Sequence, residues 1–205
     1  GYMNELWGWY SYWVAHSLRY MFGRCGDLFM EKHGIERGDA LLHMKGSVLD
    51  FLDAQSADGF IPSMLAENGI FKDFFAGELK KGHKHNQHAP FLCQSALGAA
   101  QFADDYGWLN EEKLITYLEY YKNNQYDVKS GLFFWQNDIM IGIDNNPTVF
   151  CRPPRSSADI FLNCFIYLEY VALAQILAAK GDDRSDNIMA QAERLKRAIN
   201  DEMWD

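Results

Sequence analysis

A chain of 205 residues with 48% hydrophobic and 15% aromatic residues has enough apolar side chain to bury a substantial core, and its length admits one domain or two small ones. Its net charge of -9, with no block of Lys and Arg, argues against nucleic acid or anionic lipid as the main partner and suits a neutral polar ligand. No apolar run reaches the roughly 18 residues of a membrane span, since the best candidate, 171–179, is short and carries Gln175.

Apolar spacing predicts six helices, at about 4–22, 37–55, 89–106, 110–125, 157–179 and 184–201. The first, third and fifth are apolar nearly all round. Phe91, Leu92, Cys93, Ala96, Leu97, Ala99 and Ala100 show this in the third, and 160–165 with 171–174 in the fifth, so these helices are expected to be buried on all sides. The second, fourth and sixth are one-sided, as Ile188, Ala192, Leu195 and Ile199 show against Glu193, Lys196 and Arg197, and are expected to form an outer layer. Asp159 precedes the apolar part of the fifth helix, with Ser156 or Ser157 offering a cap, and Asn163 is a buried polar group that needs a partner.

Connections after the odd helices are mostly short, whereas those after the even helices run to about 30 residues, a length that usually marks function. Each long loop begins alike, with Asp58-Gly59-Phe60 and with Asp127 to Phe133; Met203-Trp204-Asp205 resembles the opening of a third. Helix pairs repeating at roughly 70 to 80 residues describe a toroid or solenoid of helical hairpins, with the long loops gathered at the N-termini of the inner helices. The repeat breaks off midway. The expectation is half of a ring, with the apolar flanks of the first and fifth helices covered by further polypeptide.

The stretch from Phe134 to Pro147 carries the richest chemistry. Trp135 offers a face for stacking on a pyranose, Asp138 and Asp144 offer carboxylates, and Asn137, Asn145 and Asn146 offer amides for paired hydrogen bonds to hydroxyls. The plain alternative is a polar loop whose Asp and Asn residues make turns. Trp7, Trp9 and Trp13, near the start of the first inner helix, either line the same pocket or serve as core. His83, His85 and His88 suggest a metal, but without neighbouring carboxylates they read as a solvated loop, so no metal is expected. Asp182-Asp183-Arg184-Ser185-Asp186 matches a magnesium-binding pattern of isoprenoid enzymes, yet opens an outer helix on the face away from the long loops, where capping explains it. Cys25, Cys93, Cys151 and Cys164 lack zinc spacing and are expected as free, buried thiols.

Four segments, in order, resemble the inverting glycosidases with an (α/α)6 toroid: glycoside hydrolase family 63, the mannosylglycerate hydrolases and, more distantly, trehalase. Residues 7–13 are similar to the family's Trp-x-Trp-Asp-Ser-aromatic start of the first inner helix, and Asp58-Gly59-Phe60-Ile61-Pro62 to its Asp-Gly-Met-Ile-Pro loop. His88-Ala89-Pro90-Phe91-Leu92 resembles Gln-Pro-Pro followed by apolar residues, and Gly142-Ile143-Asp144-Asn145-Asn146-Pro147 resembles Ser-Gly-Met-Asp-Asn-Ser-Pro.

The resemblance implies that residues 1–205 are the N-terminal half of one all-α catalytic domain, supplying about three hairpins. It implies hydrolysis of an α-linked glucoside or mannoside with inversion, with Asp144 as general acid. It further implies that the base is a Glu beyond Asp205, roughly 6.5–9.5 Å from the acid so that a water fits between. Candidates for holding the sugar are Trp7, Trp9, Tyr10, Phe60, His88, Trp135, Asp138, Asn145 and Arg152. The chemistry needs no cofactor; the partners are a carbohydrate and the rest of the domain. Two residues depart from the pattern: Tyr10 stands where the family has a sugar-binding Asp, and Thr148 where an Arg follows the Pro. Arg152 or Arg155 would restore that charge. The departures mark the alternative, a catalytically inactive glycan-binding protein on the same scaffold. A helical-repeat interaction scaffold is a further alternative, but it would not require Asp144 or a loop rich in Asn and Trp.

Overall fold

The computed structural model describes residues 5–66, 86–139, 141–143 and 146–204. Among these, seven helices carry the chain: α1 (Gly8–Cys25), α2 (Asp27–Lys32), α3 (Arg37–Asp53), α4 (Leu92–Ala103), α5 (Glu111–Asn124), α6 (Ile160–Ala179) and α7 (Ser185–Glu202). Six coincide with the periodic stretches; α2, six residues long, is an addition after the turn at Gly26. Two short antiparallel pairs complete the elements, β1 (Glu5–Trp7) with β2 (Met64–Ala66) and β3 (Tyr126–Asp127) with β4 (Leu132–Phe133). The chain is therefore mostly helical, as expected.

Start signals are local for two helices and absent for a third. Asn110 Oδ1 accepts from Lys113 N at the head of α5, and Asp159 Oδ1 from Leu162 N at the head of α6, so Asp159 itself is the cap, not Ser156 or Ser157. At the head of α4, Phe91 offers no side-chain acceptor.

Helices α1, α4 and α6 stand side by side with α4 between the others; α3 packs on α1 and α4, while α5 and α7 pack on α6. Small residues on α4, Ala96, Ala99 and Ala100, are fully buried and let its neighbours approach on both sides. The main core joins Phe51 and Leu52 of α3, Leu114, Tyr117 and Tyr121 of α5, and Leu162, Ile166, Leu173, Ile176 and Leu177 of α6. Each such aliphatic side chain contributes about 1.5–3 kcal/mol of burial. In α7, Ile188, Ala192, Leu195 and Ile199 turn inward, as their spacing predicts.

Helix α1 exposes Tyr10, Trp13, Val14, Tyr20 and Met21, an apolar flank left uncovered among the described residues, as a half-ring requires. One expectation needs correction. Helix α6, at 20 residues and a mean hydropathy of 1.8, is long and apolar enough to cross a membrane by length and composition, which the run of 171–179 understates. Its setting is that of a core helix: 56% is buried within this chain. Its Asn163, fully buried, exchanges hydrogen bonds with both backbone groups of Phe133.

The long connections meet at the N-terminal ends of α1, α4 and α6. Gly8 N donates to Ser63 O, His88 N to Ile61 O, and Trp135 N to Ser157 O. The short connections meet at the other end, where Lys180 reaches Leu109 O and Glu111. The Asp182–Asp186 stretch lies at that end, as expected. Asp182 is taken up by Arg184, whose guanidinium holds its carboxyl down at about 2.

Candidate functional site

An aromatic face forms where α1, α4 and α6 begin. Phe91, fully buried, is its centre. Tyr12 stacks on it at 4.4 Å between centroids, Trp9 meets it edge-on at 5.4 Å, and Phe165 at 4.7 Å. Phe161 lies 5.8 Å from Trp9 and 4.7 Å from Phe165. Trp9, Tyr12, Phe161 and Phe165 are half-buried, and Trp13 is 40% exposed, so the face keeps ring surface open. Such a surface accepts the apolar side of a sugar ring.

The Phe134–Pro147 stretch is seated on this face through Gly142. Its φ is +83°, and a Cβ there would come 2.6 Å from Trp9 Cε3, so both the conformation and the approach call for glycine. The contact joins two of the four segments that carry the resemblance, 7–13 and 142–147.

Two anchors hold the stretch. At one end Asn86, itself buried, donates through Nδ2 to Asn137 O at 2.9 Å and Ile139 O at 2.7 Å, while its Oδ1 accepts from Gln136 N at 2.8 Å. At the other end Asp159 Oδ2 accepts from Trp135 Nε1, Asn146 Nδ2 and Thr148 Oγ1, each at 3.0 Å. One carboxylate thus starts α6 and closes the loop. Thr148, the departure from the family pattern, is part of that closure.

Asp144 and Asn145 lie outside the described residues, between the placed Ile143 and Asn146. Of the other candidates, Trp9 is in the aromatic face and Tyr10, 55% exposed, is next to it on α1. Trp7 sits in β1, its indole N–H donating to Glu5 Oε2. Asp138 and Arg152 are exposed; the Arg155 guanidinium lies over Phe134. Phe60 turns away, packing edge-on against Tyr120 of α5.

Two candidates are corrected. Trp135 is buried, its ring stacked on Phe161 and its N–H committed to Asp159, so it presents no open face to a sugar. His88 is buried against Phe51 and against Gly8, where a Cβ would overlap the imidazole. Burial lowers its ionisation from 6.5 to about 4, which keeps the ring neutral, and its carbonyl accepts the hydroxyls of Tyr117 and Tyr121. It is a packing residue rather than a sugar ligand.

Glu169 is the group that sequence reasoning passed over. Fully buried in α6, it accepts from Cys93 N at 2.8 Å and Gln94 N at 2.9 Å, the uncapped first turn of α4, and from Gln94 Nε2 at 3.1 Å. Burial outweighs these bonds and raises its carboxyl from 4.5 to about 7. The signal was one acidic residue within an apolar helix.

Among the described residues no three His, Cys, Asp or Glu side chains converge as metal ligands; His83 and His85 lie outside those residues. The thiols are free, with Cys93 buried as expected, but Cys164 is half-buried and Cys25 and Cys151 are exposed. An open groove of about 420 Å³ lies toward the C-terminal end of α1, lined by His16, Arg19, Tyr20, Arg37, Gln101 and Phe102. It adjoins the aromatic face, since the His16 ring stacks on Tyr12 and meets Trp13 edge-on. No family model, curated protein or solved structure matches the chain.

Proposed function

We propose that the chain belongs to an inverting glycoside hydrolase built on an (α/α)6 toroid, cleaving an α-linked glucoside or mannoside with Asp144 as general acid. The ring is supported by the layering, with α3 between α1 and α4, α5 against α6, long connections at one end and short ones at the other. Helices α1 and α6 form the two flanks of the inner layer, and both flanks expose apolar side chains outside the aromatic face: Tyr10, Val14 and Tyr20 on one, Leu168 with the half-exposed Val171 on the other. Further hairpins of the same kind would cover them.

The observation that carries the sugar reading is the half-exposed aromatic face with Gly142 seated on Trp9. Aromatic rings bind the apolar side of a pyranose, and amides and carboxylates of the kind the 134–147 stretch carries suit its hydroxyls. In this reading Asp144 protonates the glycosidic oxygen while a Glu from outside residues 1–205 activates water on the opposite side. Glu169 is not that base, because it is sealed in the core. Tyr10, exposed where the resembling family carries a sugar-binding Asp, favours a second reading: a glycan-binding protein of this architecture without hydrolysis.

Asp144→Asn in the full-length protein separates them. Asn keeps the shape but has no proton acidic enough for the leaving oxygen, a loss of roughly 10²–10⁴-fold. Hydrolysis of an unactivated glycoside should collapse, whereas a glycosyl fluoride, which needs little acid, should be cleaved at a rate closer to the parent's. Equal losses on both substrates with a large fall in melting temperature would assign Asp144 to loop structure. A parent inactive on both, yet binding sugar, would establish the second reading.

A further inference from the structure

A hydrogen-bonded chain runs from the aromatic face into the core. Tyr12 OH donates to Gln94 Oε1 at 3.2 Å, and Gln94 Nε2 donates both to Glu169 Oε1 at 3.1 Å and to Pro90 O at 3.0 Å. The direction of each bond is forced. Glu169, as a carboxylate, and the Pro90 carbonyl only accept, so the Gln94 amide must turn its NH2 toward them and its oxygen toward Tyr12. The Tyr12 hydroxyl has one proton, and it is spent on Gln94. What Tyr12 presents to the face is then its oxygen, as an acceptor.

No cation pairs with Glu169 among the described residues. The titratable groups facing it are Tyr12 from α1, Cys93 from α4, and Tyr117 and Tyr121 from α5; on the far flank of α6, Arg194 of α7 faces Tyr170 instead. When Glu169 is protonated it gains a donor of its own, and the amide of Gln94 is held by the Pro90 carbonyl alone, with one of its two fixed acceptors lost.

We propose that Glu169 is a positioning residue for sugar recognition: by fixing the Gln94 amide it makes the Tyr12 oxygen an acceptor for a hydroxyl of a sugar on the aromatic face. The ligand in this inference rests on the carbohydrate reading above; the residues and bond directions do not.

The test uses the full-length protein with 13C-labelled tyrosine, the Tyr12 signal being assigned by its loss in Tyr12→Phe. Binding of maltose and of methyl α-D-mannopyranoside is measured by calorimetry at about pH 5.5 and about pH 8.5, either side of the Glu169 ionisation. Burial first, and then the Glu169 charge, holds the Tyr12 phenol above its ordinary value, so Glu169→Gln should move its titration down. Sugar affinity should fall about fivefold at the higher pH, the worth of one hydrogen bond, and match the parent at the lower pH. Gln94→Leu cuts the chain while leaving the two backbone bonds to Glu169, so it should show the same loss even where Glu169→Gln fails to fold. Unchanged affinity and an unmoved Tyr12 titration in both variants would overturn the proposal and leave Glu169 as a helix cap alone. If neither sugar binds the parent, the carbohydrate reading falls, and the Tyr12 titration alone decides for or against Glu169.

Discussion

Where α1, α4 and α6 begin, the loops are fastened by buried amides and a buried carboxylate; where those helices end, the short connections are fastened by ion pairs that water reaches. Asn86, Asn146 and Asp159 at the first end are each less than a tenth exposed, whereas Arg184 at the second is 41% exposed beside Glu112 at 68%. The contrast follows from what each end must do. A long loop over a helix start buries backbone donors and acceptors far from any regular ladder, and amides satisfy both kinds without the desolvation cost of a charge. A short turn leaves its polar groups in water, where an ion pair contributes little and asks little.

The sharpest way to break this comparison is Asp159→Ala. It removes the acceptor of Leu162 N, Trp135 Nε1 and Asn146 Nδ2 together, leaving buried donors unpaired, while the exposed Thr148 hydroxyl keeps Asn146 Oδ1. The expected loss is about 3–5 kcal/mol in urea unfolding, with Trp135 fluorescence shifted to the red. A loss under about 1 kcal/mol would mean that the loop is held by something else.

A second, comparable effect comes from two buried groups that titrate in opposite senses. Glu169 ionises at about 7 in the fold against an ordinary 4.5, so its contribution is present below the ordinary value and is lost as pH rises through about 7. His88 ionises at about 4 against 6.5, so its contribution is present above the ordinary value and is lost as pH falls through about 4. Each is worth about 3 kcal/mol, and from pH 4.5 to 6.5 the two slopes offset each other. The parent's stability should be nearly flat over that window. Glu169→Gln should expose the His88 slope alone, with stability climbing by about 3 kcal/mol between pH 4 and 6.5. A variant profile that parallels the parent's would show that Glu169 is ionised throughout.

The smallest effect is expected at the opposite end. Arg184→Ala removes the pairs with Asp182 and Glu112, and should lower stability only slightly, a difference that shrinks in 1 M salt. A salt-independent loss as large as that of Asp159→Ala would erase the distinction between the two ends.

The helices were legible in the sequence because their signal is periodic and repeated; α6 and α7 begin and end within a few residues of the expected positions. Helix α2 and the two strand pairs were not, since elements of two to six residues carry no period. The site was legible only in outline. The aromatic character of 7–13 is plain in the sequence, but that Trp9 meets Gly142 is a fact of tertiary packing. Trp135 invited a sugar-stacking role because it lies in a polar loop, yet an indole N–H also suits a buried carboxylate, and Asp159 sits 24 residues further on. Glu169 was hidden for the same reason: its partners are 75 and 76 residues away.

That separation gives the α4 cap a place in time as well as in space. Asn110 and Asp159 start their helices with neighbours a few residues away, so those caps form together with the turns they cap. The first turn of α4 has no such neighbour, and its N–H groups wait on a carboxylate that arrives only when α6 docks. On a chain emerging from the ribosome, α4 would exist before its own beginning is secured, and the docking of α6, already capped by Asp159, would complete it.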